Sequence, residues 1–386
     1  MELGRLLPGV GPEHIGVRVG TCAVGSLSGV TALIPPAGST VGVDSRGGGP
    51  ATHETDIARP GTLPFGADGI VLTGGSALGL ASARGVQDRL VESGVGTPVA
   101  GTRVPIVPAA AIFDIGRGGA PTPPSAEDGY RAAENALGRR AASGSVLYES
   151  RGSTGAGIGA WTGRGFSRGG MGCASIFTAG GHWVSAVVIA NPMGTLFEPG
   201  GRLSAAGVLN TYGVQLPTVD PAETSRMAER ARQREQQAPT NTTIAVICTD
   251  AFLTDAEATR LATSAHAGIA RAVWPSHTMF DGDTVFALSA GQHANGAAST
   301  GPGGSASSPG TPVEIQTQLN IAAADALSAA IVDAVLTAGE PHHQLSNVDL
   351  PPALRDVFPD LCSAWEAQAR ERLDGPLTGT DTAVQP

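Results

Sequence analysis

Short apolar runs alternate with glycine-rich and polar turns along this chain, and the sharpest switch lies at Pro239-Thr240-Asn241-Thr242-Thr243-Ile244-Ala245-Val246-Ile247-Cys248-Thr249-Asp250. A polar loop passes there directly into a β-branched run, which predicts a buried strand with a hydroxyl side chain at its first position. Upstream, Val219 to Gln237 is rich in Arg, Glu and Gln and predicts an exposed helix or linker. Val17 to Ile34 predicts a strand, turn, strand pair, and Gly69 to Leu80 followed by Ala81 to Ser93 predicts a strand, a Gly-Gly-Ser turn and a helix. Val104 to Asp114 reads as a buried segment closed by the Gly, Pro and Arg loop from Gly116 to Pro124. Ser125 to Arg140 has helical spacing, with Ser125 as cap and Asp128 three residues on; Thr254 to Ala272 repeats the pattern with Thr254 and Glu257. Trp183 to Ala190 predicts a strong strand ending at Asn191-Pro192, and Pro312 to Ala338 a long apolar helix suited to covering a sheet. Strands and helices recur on both sides of Asn241 without a repeat or a linker. That pattern predicts one α/β domain over residues 1–374, its central strands drawn from the segment after Thr242, and a disordered tail over 375–386.

Several places in this pattern carry candidate chemistry. A surface segment running into a threonine at the lip of a buried strand is the layout of an N-terminal-nucleophile hydrolase precursor, in which the chain cuts itself before Ser, Thr or Cys. The new terminus then supplies a hydroxyl nucleophile and an α-amine base on one residue. Asn-Thr-Thr is equally a common turn entering a strand. Asn191, at a strand end fixed by Pro192, is placed either to donate its amide into a cleft or simply to form a turn. The Gly74-Gly75-Ser76 turn offers backbone N–H groups at a helix start, yet lacks the lysine of a P-loop and reads as a structural close approach. Thr154 to Arg164 is too glycine-rich for a helix and suggests a sheet region where another backbone or a ligand comes very near. Asp281-Gly282-Asp283 puts two carboxylates at i and i+2, able to hold a cation or an ammonium but far too short for an EF-hand loop. His266, inside a helix, reads as a satisfied histidine, and Gly291 to Pro312 as a low-complexity loop.

Composition narrows the function classes. All 24 basic residues are arginine, which removes Schiff-base and Walker-type lysine chemistry. A net charge of −10 without an Arg cluster interleaved with aromatics argues against nucleic acid as a partner. The first residues lack a signal-peptide pattern, and no run approaches about 18 uninterrupted apolar residues, so a cytoplasmic protein without a membrane span is expected. Cys22, Cys173, Cys248 and Cys362 are widely spaced, which predicts buried thiols with neither a metal site nor a disulfide framework. No cofactor is expected.

Taken together, Val43-Asp44-Ser45-Arg46-Gly47-Gly48, Leu72 to Leu80, Val104 to Ala110, Gly155-Ala156-Gly157, Asn241-Thr242-Thr243-Ile244 and His277 to Thr284 resemble, in order, the motifs of the L-aminopeptidase/D-esterase family of self-processing amidases. That family includes β-peptidyl aminopeptidases and a nylon-oligomer hydrolase. The resemblance implies a four-layer α/β/β/α sandwich cut between Asn241 and Thr242 into subunits of 241 and 145 residues (386 − 241). It implies Thr242 as nucleophile with its α-amine as general base, Asn191 as oxyanion donor, and Asp281 and Asp283 as the pair that orients the amine. It also implies a small peptide or amide substrate and a homo-oligomer, a tetramer of processed heterodimers. Arg164 stands where many relatives have lysine; it cannot shuttle a proton but can stabilise an oxyanion or anchor a carboxylate. Phe113 stands where some have a hydrogen-bonding tyrosine. Two other readings share the strand-entry threonine: an acyl transferase similar to the ornithine acetyltransferases, and an uncut small-molecule-binding relative.

Overall fold

The computed structural model describes residues 3–63, 65–117, 122–138, 150–234, 241–291, 311–339 and 349–373. The interior of the Gly291 to Pro312 stretch, the tail from 375 and the residues 235–240 before Asn241 lie outside the described residues. From the N-terminus the chain forms β1 (Arg5–Pro8), the hairpin β2 and β3 (Arg18–Val24, Ser28–Ile34), β4 (Thr40–Ser45), β5 (Ala51–His53) and β6 (Ile70–Thr73). A four-residue helix α1 (Ser76–Gly79) leads into α2 (Ser82–Glu92), and a small hairpin of β7 and β8 (Thr97–Val99, Thr102–Val104) precedes β9 (Ala109–Ala111) and α3 (Ala126–Gly138). The hairpin β10 and β11 (Trp161–Thr162, Ser167–Arg168) runs into the long strands β12 (Gly170–Phe177) and β13 (Trp183–Asn191). Helices α4 (Ala206–Thr211) and α5 (Pro221–Arg234) follow, then β14 (Thr242–Thr249), α6 (Asp255–Ala272), β15 (Thr284–Ser289), α7 (Val313–Leu336), α8 (Leu354–Val357) and α9 (Pro359–Leu373).

The strands make two main sheets. One has six strands in the order β1-β12-β13-β14-β15-β4, antiparallel except for β14 with β15. The other has five in the order β2-β3-β6-β9-β5, with β6 and β9 parallel. Every residue of β14 is buried, and its side chains divide by parity. Ala245 and Ile247 join Leu261 and Ile269 of α6 and Leu327 and Ile331 of α7, whereas Ile244, Val246 and Cys248 meet Leu33 and Leu72 of the second sheet. Period-two alternation thus gives one strand two apolar faces. A third core, with Val30, Val71, Val86 and Ala132, lies between the five-stranded sheet and α2 and α3. The layers run α/β/β/α.

Local chemistry sets the helix starts. Thr254 Oγ1 accepts from Glu257 N (3.3 Å) while Glu257 Oε2 accepts from Thr254 N (2.8 Å), and Ser125 and Asp128 make the same reciprocal pair (3.4 and 2.9 Å). The abundant glycine has a packing role where a helix presses on a strand: a Cβ at Gly172 of β12 would sit 2.2 Å from Ala330 O of α7. By length and composition α7 could cross a membrane; here it is buried against α6, β12 and β13. The glycine-rich stretch expected to belong to a sheet instead forms a single 3-10 turn, Gly155–Gly157, followed by the two-residue β10. Close backbone approach is what Gly157 and Gly159 serve, since a Cβ there would lie 2.3 Å from Met171 N and 2.1 Å from Leu27 O, whereas Gly155 and Gly163 admit neighbouring side chains.

Candidate active site

Thr242 opens β14 and sits directly opposite Asn191, the last residue of β13. Antiparallel partners project to the same face, so both side chains lie at the edge of the layer between the two sheets, in line with Ile244 and Ile189. Thr242 is 4% exposed and Asn191 0%, which shields both from bulk water. Thr242 Oγ1 donates to the carbonyl oxygen of Asn241, and the Gly282 N–H donates to the same oxygen at 3.2 Å. Asn241 is clamped: its N–H donates to Phe280 O (3.0 Å) and its Nδ2 to the carbonyls of Asn191 and Pro192 (3.1 and 3.2 Å).

The acidic turn before β15 surrounds this peptide bond. Asp283 Oδ1 accepts from Thr243 N (2.7 Å), and Oδ2 accepts from His277 N (3.1 Å) and faces His277 Nδ1 at 2.7 Å. Asp281 Oδ1 accepts from Met193 N (3.1 Å), and Oδ2 from Thr278 N and Oγ1 (3.0 and 2.6 Å). Both carboxylates therefore already hold protein donors, and no group of three or more potential metal ligands occurs among the described residues. Burial, with the neighbouring charge of Asp283, raises the Asp281 pKa above the ordinary carboxylate value. The turn is backed by the first glycine loop: Arg46 N and Gly49 N donate to Asp283 O and Asp281 O (2.9 and 2.8 Å). A Cβ at Gly47 would lie 2.3 Å from Asp281 O, so that motif is built for backbone contact. His266 packs edge-on against His277, with ring centroids 4.9 Å apart, and its Nε2 donates to Asp44 O (3.0 Å); burial pushes its pKa down to about 4 and keeps it neutral.

On the other side of Thr242, Asn191 Oδ1 accepts from Trp161 N (3.0 Å) and from Arg117 Nη1 (2.6 Å), while its Nδ2 donates to Phe113 O at a long 3.4 Å. Arg117 is 1% exposed, donates also to Gly159 O (2.6 Å), and stacks its guanidinium over Trp161, 4.8 Å from the ring centroid. Sequence reasoning passed over Arg117, because an arginine in a Gly and Pro loop reads as solvated. The Trp161 contribution is a backbone group and left no signal in the sequence. Asp114, two residues past Ile112, accepts from Gly75 N (2.6 Å), and Ser76 N donates to Ile112 O (2.9 Å). The N–H groups of the Gly-Gly-Ser turn are thus used within the protein, as the structural reading of that turn required.

Arg164 lies at the tip of the β10–β11 hairpin with φ of 55°. Its guanidinium covers the Phe280 ring (5.4 Å to the centroid), and Nη2 approaches Met193 Sδ at 3.7 Å. It therefore joins the rim that carries Asp281. Phe113 contributes its carbonyl to the Asn191 amide, a contact indifferent to a ring hydroxyl.

A four-layer sandwich with a threonine at the head of a central strand defines the class of the N-terminal-nucleophile hydrolase fold. Two solved structures share it: the L-aminopeptidase D-Ala-esterase/amidase of Ochrobactrum anthropi, described as a variant of that fold, has a TM-score of 0.62 at 20% identity, covering 92% of this chain and 93% of that one. A Burkholderia sp. beta-aminopeptidase has a TM-score of 0.60 at 23% identity, covering 94% and 93%. The sequence pattern of the family described as Peptidase family S58 matches residues 15–345, and the chain belongs to that family of hydrolases. An uncharacterized aminopeptidase of Mycobacterium leprae is 39% identical over 311 residues, 80% of this chain and 83% of its own. The 6-aminohexanoate-oligomer endohydrolase of Paenarthrobacter ureafaciens is 30% identical over 267 residues, 68% of this chain and 69% of its own.

Proposed function

We propose that this peptidase cuts itself between Asn241 and Thr242 and then hydrolyses small peptides or amino-acid amides with Thr242 as nucleophile. The observation that carries the reading is the Thr242 hydroxyl seated on the carbonyl of the residue before it, with Gly282 N–H on the same oxygen. In self-cleavage, Thr242 Oγ1 attacks the Asn241 carbonyl carbon, and the oxygen takes negative charge against the Gly282 N–H. The C–N bond then breaks as its nitrogen takes the proton given up by Oγ1, leaving an ester and a free α-amine, and water hydrolyses the ester to the Asn241 carboxylate and the Thr242 hydroxyl. In turnover the α-amine accepts the Oγ1 proton; its reference pKa near 8 suits a base at neutral pH. The attacked substrate carbonyl develops charge toward Asn191 Nδ2, whose present bond to Phe113 O is long enough to exchange. Asp283, on the neighbouring Thr243 N–H, and Asp281 orient the new terminus, and Arg164 at the rim anchors an anionic group of the substrate. Aminopeptidase and amide-oligomer hydrolase activities in the names of the relatives agree with this substrate class.

Denaturing electrophoresis with N-terminal sequencing tests the reading. Fragments of 241 and 145 residues, the smaller beginning at Thr242, are expected, and Thr242→Ala should stay a single chain of 386. An uncut wild-type chain would sink it.

A further inference from the structure

The amide of Asn191 is held from behind. Its Oδ1 has two lone-pair directions, and both are filled, by Trp161 N–H at 3.0 Å and Arg117 Nη1 at 2.6 Å. Rotating the amide by half a turn would set its NH2 against two donors, so Nδ2 is fixed on the opposite side, toward Phe113 O, before any substrate arrives. Arg117 makes this bond from an unusual position. It is fully buried, and among the described residues it has no carboxylate within ion-pair distance; Nη1 serves only Gly159 O and Asn191 Oδ1. The Trp161 ring covers its face. Burial lowers its pKa to about 10, partly opposed by Asp114, so it stays charged at neutral pH. A buried cation without a paired anion is costly for folding. A cation placed on an amide oxygen in a low-dielectric setting also draws electron density from the amide nitrogen and strengthens its N–H as a donor.

We propose that Arg117 is the positioning residue of Asn191: it locks the amide orientation and polarises it, so that Nδ2–H is ready for the charge that develops on the substrate carbonyl oxygen. The proposal rests on the oxyanion role given to Asn191 above. Self-cleavage, whose carbonyl is held by Gly282 N–H, does not depend on it.

The test is a double-mutant cycle on processed enzyme with amino-acid p-nitroanilides as probes, measuring kcat and KM for wild type, Arg117→Met, Asn191→Ala and the double variant. Arg117→Met should be cut normally, lose about 100-fold in kcat and keep KM within about twofold; Asn191→Ala should lose about 100- to 1,000-fold. The double variant should be no slower than Asn191→Ala within about threefold, because the arginine acts only through the asparagine. Equal losses from Arg117→Met in both backgrounds, an unchanged kcat, or a folded variant that stays uncut would each overturn the proposal. An Asn191→Ala enzyme with wild-type kcat would instead remove the oxyanion role itself, and the proposal with it. If Arg117→Met does not fold, Arg117→Lys carries the same cycle: a lysine is a single point donor that neutralises readily when buried, and it should give a smaller kcat loss that again vanishes in the Asn191→Ala background.

Discussion

Arg151 and Arg117 both have nearly buried side chains and are held in opposite ways. Arg151 pairs with Asp333 and, at 3.1 Å, with Glu366 beneath α7 and α9, and Asp333 also accepts from Cys173 N and Trp365 Nε1. Burial opposes its charge, but the charges of Asp333 and Glu366 outweigh that and hold its pKa above the ordinary arginine value. Arg117 hydrogen-bonds only neutral oxygens, and burial lowers its pKa although the charge of Asp114, beyond ion-pair distance, opposes the fall. The first arrangement ties strand β12 to two helices through a neutralised network. The second leaves a net charge beside an amide at the mouth of the inter-sheet layer. The difference separates a charge retained for architecture from one retained for chemistry.

Stability measurements can break that distinction. The largest effect is expected from Arg151→Met, which strands Asp333 without its cation and should cost about 3–5 kcal/mol in denaturant unfolding. Arg117→Met removes a buried charge but takes a donor from Asn191 Oδ1 and Gly159 O and a neighbouring cation from Asp114, and should cost about 1–3 kcal/mol; a loss as large as that of Arg151→Met would erase the contrast. His266 extends it to a base that buries without a charge. Its folded pKa of about 4 lies below the ordinary histidine value of 6.5, so the unfolded chain binds the extra proton first. Stability should be full above pH 6.5 and fall by about 3 kcal/mol as the pH drops from 6.5 to about 4. His266→Gln should remove that part of the slope, read as the difference between the two pH profiles; the raised carboxyl of Asp281 contributes with the opposite sign and cancels in the difference. Thr254→Ala, which breaks the α6 capping box far from either arginine, should cost about 1 kcal/mol. Smallest is Arg164→Met, where loss of the stack on half-exposed Phe280 should cost below about 1 kcal/mol in thermal unfolding.

Features encoded by neighbours in the chain were legible in advance. The polar-to-apolar switch at Asn241 marks the true start of β14, the two capping pairs form as their spacing predicts, and Asn191 ends its strand at the Asn-Pro step. Their physics is local: period, cap chemistry and the missing N–H of proline. Arg117 escaped because its burial is decided by Trp161 and Asn191, 44 and 74 positions away, and nothing in a Gly-Arg loop announces them. The 3-10 turn at Gly155–Gly157 is hidden in the sequence for a similar reason, since glycine records that something comes close without recording what.

The order of the six-stranded sheet has a consequence for the product of any cut before Thr242. Strands β14 and β15 belong to the downstream piece, yet they lie between β13 and β4 of the upstream piece, hydrogen-bonded along both edges. The two pieces are joined like a dovetail, so a severed backbone need not become a parted molecule. The two pieces should remain together in equal amounts under native conditions and unfold in one shared transition.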